Sequence, residues 1–228
     1  GTAVHKALEL FLNQYRKTKI NPGREFLLLH YQKALQKEML TDKDYKERLE
    51  YGRNLISEYF DARGHLLTSD TFSEINFSSH GVNLDGIPIT GKIDKVSFGS
   101  GDPDGPQQGL TVSDFKTGNA DRQMSESRHG GDYWRQMVFY KILADNSPRF
   151  KKDFQNRPVR VSQLEFLEKS RKSGEYLTAA IEVTPEAVAE VTENIRFVHG
   201  QIQALAFDKI DRSEPCDRCP FKNICWEK

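Results

Sequence analysis

The sequence has few cysteines and no long hydrophobic run. All three cysteines lie within the last 13 of its 228 residues. A secreted disulfide framework distributes paired cysteines along the chain, so this class is excluded and a cytoplasmic protein is expected. No window approaches about 18 apolar residues free of charge, so we expect no membrane-spanning helix and no membrane partner.

The sequence also has no excess of positive or negative charge, because 33 lysines and arginines balance 33 aspartates and glutamates. A free nucleic-acid-binding domain is usually basic, so neutrality counts mildly against that class. It does not exclude an enzyme whose carboxylates bind a metal. Hydrophobic residues make up 37% and charged residues 29%, which is typical of a globular chain. The sequence opens inside a helical pattern without an initiator Met, which indicates a fragment of a longer protein.

Periodicity predicts a mixed sheet flanked by helices, an α/β fold. Apolar residues at helical spacing and alternating β-rich runs distinguish the two kinds of element. The predicted helices are 2–17, 24–39, 42–61, 133–144 and 185 to about 207. The predicted strands are two within 72–98, then 110–116, 157–166 and 176–183. Residues 99–109 and 119–131 are predicted loops, and a cysteine-bearing tail follows the last helix.

Two strands end in residues that could carry chemistry. Asp94 lies in GKIDKVSF, and Asp114 and Lys116 lie in TVSDFKTG. A strand period of two puts Lys116 on the face of Asp114. Carboxylates from neighbouring strands repel unless a divalent cation lies between them, and hard oxygen ligands suit Mg²⁺ or Mn²⁺. A lone Asp-x-Lys is more often a solvated ion pair at a strand end.

Three further residues have ordinary explanations when each is taken alone. His5 lies on the apolar stripe of the first predicted helix, where a partly buried histidine is common. Gln136 and Tyr140 are four residues apart in WRQMVFYKIL and so share one face of a helix. Surface and core packing would explain that pair without any site.

The order of these residues resembles the RecB-like branch of the PD-(D/E)XK nucleases. The matching stretches are GTAVH, GKIDKV, SDFKTG and QMVFY, which occur in the order of that family and on the expected elements. The similarity is strongest to the C-terminal nuclease domain of AddB-type helicase–nucleases. It implies the restriction-endonuclease-like fold, with a mixed central sheet.

The resemblance also implies roles for particular residues. His5, Asp94, Asp114 and the Phe115 carbonyl would be ligands of Mg²⁺ or Mn²⁺, and Lys116 would be the catalytic lysine. Gln136 and Tyr140 would contact DNA or support the site. Some relatives carry an acidic residue on the first strand, at the position of Glu74.

The tail contains Cys216, Cys219 and Cys225 in a Cys-x2-Cys-x5-Cys pattern. Such clustering favours metal binding over free thiols, but three thiolates leave a tetrahedral site incomplete, and spacing alone does not separate zinc from iron–sulfur. Resemblance to AddB-type and CRISPR-associated relatives implies a [4Fe–4S] cluster whose fourth cysteine lies upstream in the parent chain. We therefore expect the cluster to be incomplete in these 228 residues.

The sequence thus predicts a nuclease domain over 1–211 and a cysteine-rich tail over 212–228. The predicted function is that of a Mg²⁺-dependent DNA nuclease, an exonuclease of a helicase–nuclease that acts in double-strand break repair. The expected partners are linear DNA ends with a single strand passing the site, the rest of a helicase-like chain and a partner helicase subunit. The alternatives are a CRISPR-associated nuclease of the same fold, a non-catalytic DNA- or partner-binding domain, and a zinc-ribbon-like module built on the tail.

Overall fold

The structure is a computed structural model that describes residues 1–99, 109–206 and 214–226, with the side chains of 214 and 215 excepted. The described helices are α1 (Thr2–Thr18), α2 (Arg24–Leu35), α3 (Asp42–Arg63), α4 (Ala120–Gln123), α5 (Asp132–Asn146), α6 (Pro148–Asp153), α7 (Pro185–Gln203), α8 (Glu214–Asp217) and α9 (Lys222–Trp226). The described strands are β1 (Thr71–Asn76), β2 (Asn83–Leu84), β3 (Ile87–Pro88), β4 (Lys92–Phe98), β5 (Leu110–Lys116), β6 (Val159–Lys169) and β7 (Tyr176–Ile181).

The chain separates into two units, 1–191 and 192–228. The first unit contains the sheet, and the second contains α8 and α9. The predicted boundary between residues 211 and 212 lies outside the described residues, as does most of the predicted loop 99–109. No helix in the described part of the chain is both long and apolar enough to cross a membrane.

The predicted mixed sheet flanked by helices is confirmed. Five strands pair in the order β1-β4-β5-β6-β7, with β5 and β6 parallel and the other neighbours antiparallel. The parallel pair requires a long crossover, which α4, α5 and α6 provide. β5 is therefore the central strand, and five of its seven residues are buried, while Thr111 and Lys116 are partly buried. A charge on this strand is therefore costly unless a partner compensates it.

Alternation along β5 separates the core from the polar face. Phe115 joins the buried cluster that α1, α2 and α3 form on one side of the sheet. Asp114, its neighbour, contacts α5 on the other side. The helix α1 packs through a stripe at helical spacing, which includes Val4, Leu8 and Phe11.

Three local predictions differ from the structure. α2 ends at Leu35 instead of 39, because residues after it include the fully exposed Met39 and offer no apolar side chain to the core. Within 119–131, α4 and a 3₁₀ turn form, and the Asn119 side chain caps α4 by accepting from the Arg122 amide at 3.2 Å.

The helix α6 was not predicted. Its start is nevertheless encoded locally, because Ser147 accepts a hydrogen bond from the Phe150 amide at 3.1 Å and Pro148 occupies the first turn. The helix α7 ends at Gln203, and residue 207, its predicted end, lies outside the described residues.

Candidate active site

Three carboxylates form a row across neighbouring strands. The antiparallel register of β1 and β4 sets Glu74 opposite Asp94, and continuing the register of β4 and β5 sets Asp94 opposite Asp114. Opposite residues of an antiparallel pair have Cβ atoms about 4.5–5.5 Å apart. Like charges at that separation repel, so the row carries a cost unless a cation or a donor compensates it.

The first helix adds a nitrogen ligand to this row. His5 lies on α1, and its Nδ1 is 3.1 Å from Oδ2 of Asp94. One potential ligand atom from each of His5, Glu74 and Asp94 lies within 4.8 Å of the others. Two carboxylates and an imidazole are a suitable donor set for a divalent cation of the Mg²⁺ or Mn²⁺ type.

Glu74 has an unusual backbone conformation for its residue type. Its φ is 53°, in the left-handed region, although it lies within a strand. Such a conformation costs of the order of 1 kcal/mol or more in a residue other than glycine. Its side chain also contacts Lys92, whose Nζ lies 2.7 Å from Oε2 of Glu74.

Asp114 is held from the opposite side by α5. Its Oδ1 accepts hydrogen bonds from Gln136 Nε2 at 2.8 Å and from the Tyr140 hydroxyl at 2.7 Å. The two donors are one helical turn apart, so a single face of α5 supplies both. Gln136 Nε2 also lies 3.0 Å from the Tyr140 oxygen.

Lys116 completes this network. Its Nζ lies 2.7 Å from Oδ2 of Asp114 and donates to Oε1 of Gln136 at 2.7 Å. The ammonium also lies 3.9 Å from the centroid of the Tyr133 ring, within cation–π range. The lysine is therefore fixed by a carboxylate, an amide and an aromatic face.

Burial and charge shift the titration of these groups. Burial raises the pKa of Asp114, and the neighbouring Asp94 raises it further, whereas Lys116 and the Tyr140 hydroxyl oppose the shift. Burial lowers the pKa of His5, but the hydrogen bond to Asp94 and the nearby carboxylates outweigh it, so the pKa is raised overall. Burial, together with Asp114, raises the pKa of Tyr140 far above its usual range, so its hydroxyl stays a donor.

The predicted site residues thus lie together at one cavity of about 570 Å³. His5, Asp94, Asp114, Phe115, Lys116, Gln136 and Tyr140 all line it. The backbone N–H of Phe115 donates to Oδ2 of Asp94 at 3.1 Å.

The cavity also contains residues that the motifs did not indicate, among them Lys92, Gln123 and Tyr133. Two had a usable signal: Lys92 precedes Asp94 by two residues and so shares its face, and Tyr133 precedes Gln136 by three on a helix. No pattern in the sequence indicated Gln123.

A partly buried lysine and a row of carboxylates thus meet at one cavity. The family model described as the PD-(D/E)XK nuclease superfamily matches residues 1–226. The chain therefore belongs to the PD-(D/E)XK nuclease superfamily. No curated protein matches the sequence significantly.

The cysteines lie in the second unit. Cys216 is in α8 and Cys225 is in α9, and all three cysteines are partly or fully exposed. The amide of Cys219 donates to the carbonyl of Cys216 at 3.2 Å, which forms a turn between them. Among the described residues, none of the three sulfurs belongs to a group of three or more potential ligand atoms that lie within 4.8 Å of one another.

Proposed function

We propose that this chain is a Mg²⁺-dependent deoxyribonuclease that hydrolyses phosphodiester bonds. One observation carries the proposal: the carboxylate row from Glu74 to Asp114 has His5 at one side and Lys116 at the other, around one cavity. A surface ion pair would not require a buried carboxylate with three side-chain partners. Membership of the nuclease superfamily supports the same conclusion.

The residues present fit a divalent cation. His5, Asp94 and Asp114 are the proposed ligands, with the Phe115 carbonyl, and the geometry adds Glu74 as a candidate. The repulsion that raises the pKa of Asp114 is the kind that a cation relieves. A bound divalent ion would polarise the scissile phosphate and lower the pKa of a coordinated water.

The chain's own residues orient the site. Tyr140 and Gln136 hold Asp114 through Oδ1, which fixes the direction in which its other oxygen points. Lys116 supplies a positive charge that is already positioned, so negative charge developing on the phosphate can be stabilised without reorganising solvent. The roles of Gln136 and Tyr140 in this proposal are to support Asp114.

The proposed biological setting is an exonuclease domain of an AddB-like helicase–nuclease that acts on double-strand breaks. Its support is the order of the motifs, whose residues line one cavity. The family match supports the nuclease part of this proposal. A purely DNA-holding domain would have no need for His5, Asp94, Asp114 and Lys116 to converge.

The cysteines are proposed to belong to an iron–sulfur site in the parent protein. Cys216, Cys219 and Cys225 supply three soft donors, whereas such a cluster normally takes four. They therefore do not form a complete site by themselves. The proposed hydrolysis uses none of them.

The test is cleavage of labelled linear and circular DNA with and without Mg²⁺. We expect degradation of linear DNA in millimolar Mg²⁺ or Mn²⁺ and none in excess EDTA, with recovery when Mg²⁺ is restored. The Asp94→Asn protein is the control for a contaminating nuclease, since it should be inactive in the same preparation. Cleavage that persists in EDTA would overturn the metal assignment.

A further inference from the structure

Gln123 has an amide oxygen whose hydrogen-bonding capacity no described residue uses. It is the last residue of α4 and lines the same cavity as Lys116 and Tyr133. Its Oε1 is buried and has no hydrogen-bond partner in the described part of the chain. Exchanging the amide oxygen and nitrogen would not solve this, because a buried N–H would then lack a partner instead.

The amide of Gln123 rests against Gly118, two residues after Lys116. A Cβ at position 118 would lie 2.6 Å from both Cδ and Oε1 of Gln123, so only glycine leaves room for the amide there. A buried carbonyl without a donor destabilises the arrangement that contains it. Movement of the amide into the cavity would expose Oε1 to water, which can donate to it, and would leave Nε2 free to donate to an acceptor there.

The other glutamine at the cavity has no such freedom. Gln136 donates through Nε2 to Asp114 and accepts through Oε1 from Lys116, so both ends of its amide are occupied. Tyr140 likewise donates to Asp114. Among these uncharged polar groups, Gln123 is the one that can turn to a bound molecule without breaking the network around Asp114.

We propose that Gln123 is a substrate-positioning residue whose amide leaves Gly118 when DNA binds. Its Nε2 then donates to a non-bridging oxygen of the DNA backbone in the cavity. Phosphate oxygens accept and do not donate, so the amide nitrogen is the matching group. This inference rests on the proposed nuclease function, and it adds a contact to the substrate that the motif residues do not supply.

The test compares Gln123→Ala and the isosteric Gln123→Glu with the wild type. Gln14→Ala is the matched control, since Gln14 is an exposed glutamine on α1 that does not line the cavity. KM and kcat are measured on a labelled oligonucleotide in Mg²⁺, and the dissociation constant of the same DNA is measured by fluorescence anisotropy in EDTA. Thermal unfolding of each free protein is recorded in parallel.

We expect Gln123→Ala to raise KM and the dissociation constant by about tenfold, as for one lost hydrogen bond to a charged group, while the loss in kcat is much smaller. Gln123→Glu should raise both further, because a carboxylate repels phosphate. The unfolding temperature should not fall, since the amide oxygen has no hydrogen-bond partner among the described residues of the free protein. Gln14→Ala should match the wild type.

Unchanged KM and DNA affinity in Gln123→Ala would overturn the inference, and so would a fall in unfolding temperature that accompanies the whole loss of activity. In either case the wild type would still cleave DNA with Mg²⁺, and the proposed function would stand. A wild-type protein that neither binds nor cleaves DNA would instead overturn the proposed function, and this inference with it.

Discussion

The hydroxyl of Tyr140 donates a hydrogen bond of 2.7 Å to Oδ1 of Asp114, and both residues are buried. This bond lowers the pKa of Asp114 against the effect of burial. A carboxylate in the interior of a protein depends on such donors, because it has lost the donors that water provides. The bond therefore connects the packing of α5 to the charge state of the proposed site.

Tyr140→Phe should destabilise the protein and reduce its activity. Removing the hydroxyl leaves Asp114 with one donor fewer on Oδ1, at a cost of about 1–3 kcal/mol in the free energy of unfolding. Urea denaturation of the two proteins measures this difference. Tyr51→Phe, at a half-exposed tyrosine of α3, is the control and should change stability little. Equal stability of Tyr140→Phe and the wild type would show that the bond contributes nothing net.

Lys116→Ala should lose most of its activity while keeping its fold. A preorganised donor at the transition state is worth about 10² to 10³ in rate, and we expect a loss of that size in kcat. Binding of Mn²⁺, followed by electron paramagnetic resonance, should persist. The control is Lys43→Ala, at a lysine that is largely exposed on α3. Cleavage by Lys116→Ala at the wild-type rate would show that Lys116 has no catalytic role.

Glu74→Gln should weaken metal binding. The glutamine keeps the shape of the side chain but loses the charge that lies beside His5 and Asp94. We expect the dissociation constant of Mn²⁺ to rise by about tenfold or more, a loss typical of groups that support a metal site. Glu47→Gln, on the exposed face of α3, should leave it unchanged. Identical Mn²⁺ affinity in Glu74→Gln would exclude Glu74 from the ligand set.

Asp121 should make the stability of the protein depend on pH at the acidic end. The Ser170 hydroxyl, followed by the backbone N–H groups of Arg171 and Lys172, lowers the pKa of Asp121 in the folded state. The unfolded chain binds the proton more tightly, so the stabilisation is present above the unfolded pKa of about 3.9 and is lost as pH falls through the folded pKa.

The measurement for Asp121 is urea denaturation of the wild type and Asp121→Asn from pH 6 down to about pH 3. The wild type should be the more stable protein at pH 6, and the difference should shrink as the pH falls. A difference that stays constant over this range would show that the charge of Asp121 has no part in the effect.

The chain of 228 residues should contain little iron as purified. It offers three cysteines, whereas an iron–sulfur cluster normally takes four ligands. Iron and sulfide analysis with visible absorption, on protein purified without oxygen, measures this. About four iron atoms per chain would show that another residue of this chain supplies the missing ligand.

Several features of the fold and site were determined by the local sequence. The apolar stripe of α1 and the alternation of β5 gave the types of those elements, because helical and strand periods differ. The same periods placed Lys116 on the face of Asp114, and Tyr140 one turn from Gln136. The missed helix α6 had a start signal at Ser147 and Pro148 that was too short to stand out from a turn.

Tertiary structure alone decided which of these residues meet. The strand register sets Glu74 opposite Asp94, and the packing of α1 brings His5 to the same carboxylate across 89 positions of sequence. Likewise, only the folded chain places the Gln123 amide on Gly118. The physical reason is that periodicity fixes the face of an element on which a side chain lies. Strand register and helix packing depend instead on how the side chains of the whole core pack together. The sequence by itself therefore determined the kinds of residue available for chemistry, and the packing of the core determined their arrangement around one cavity.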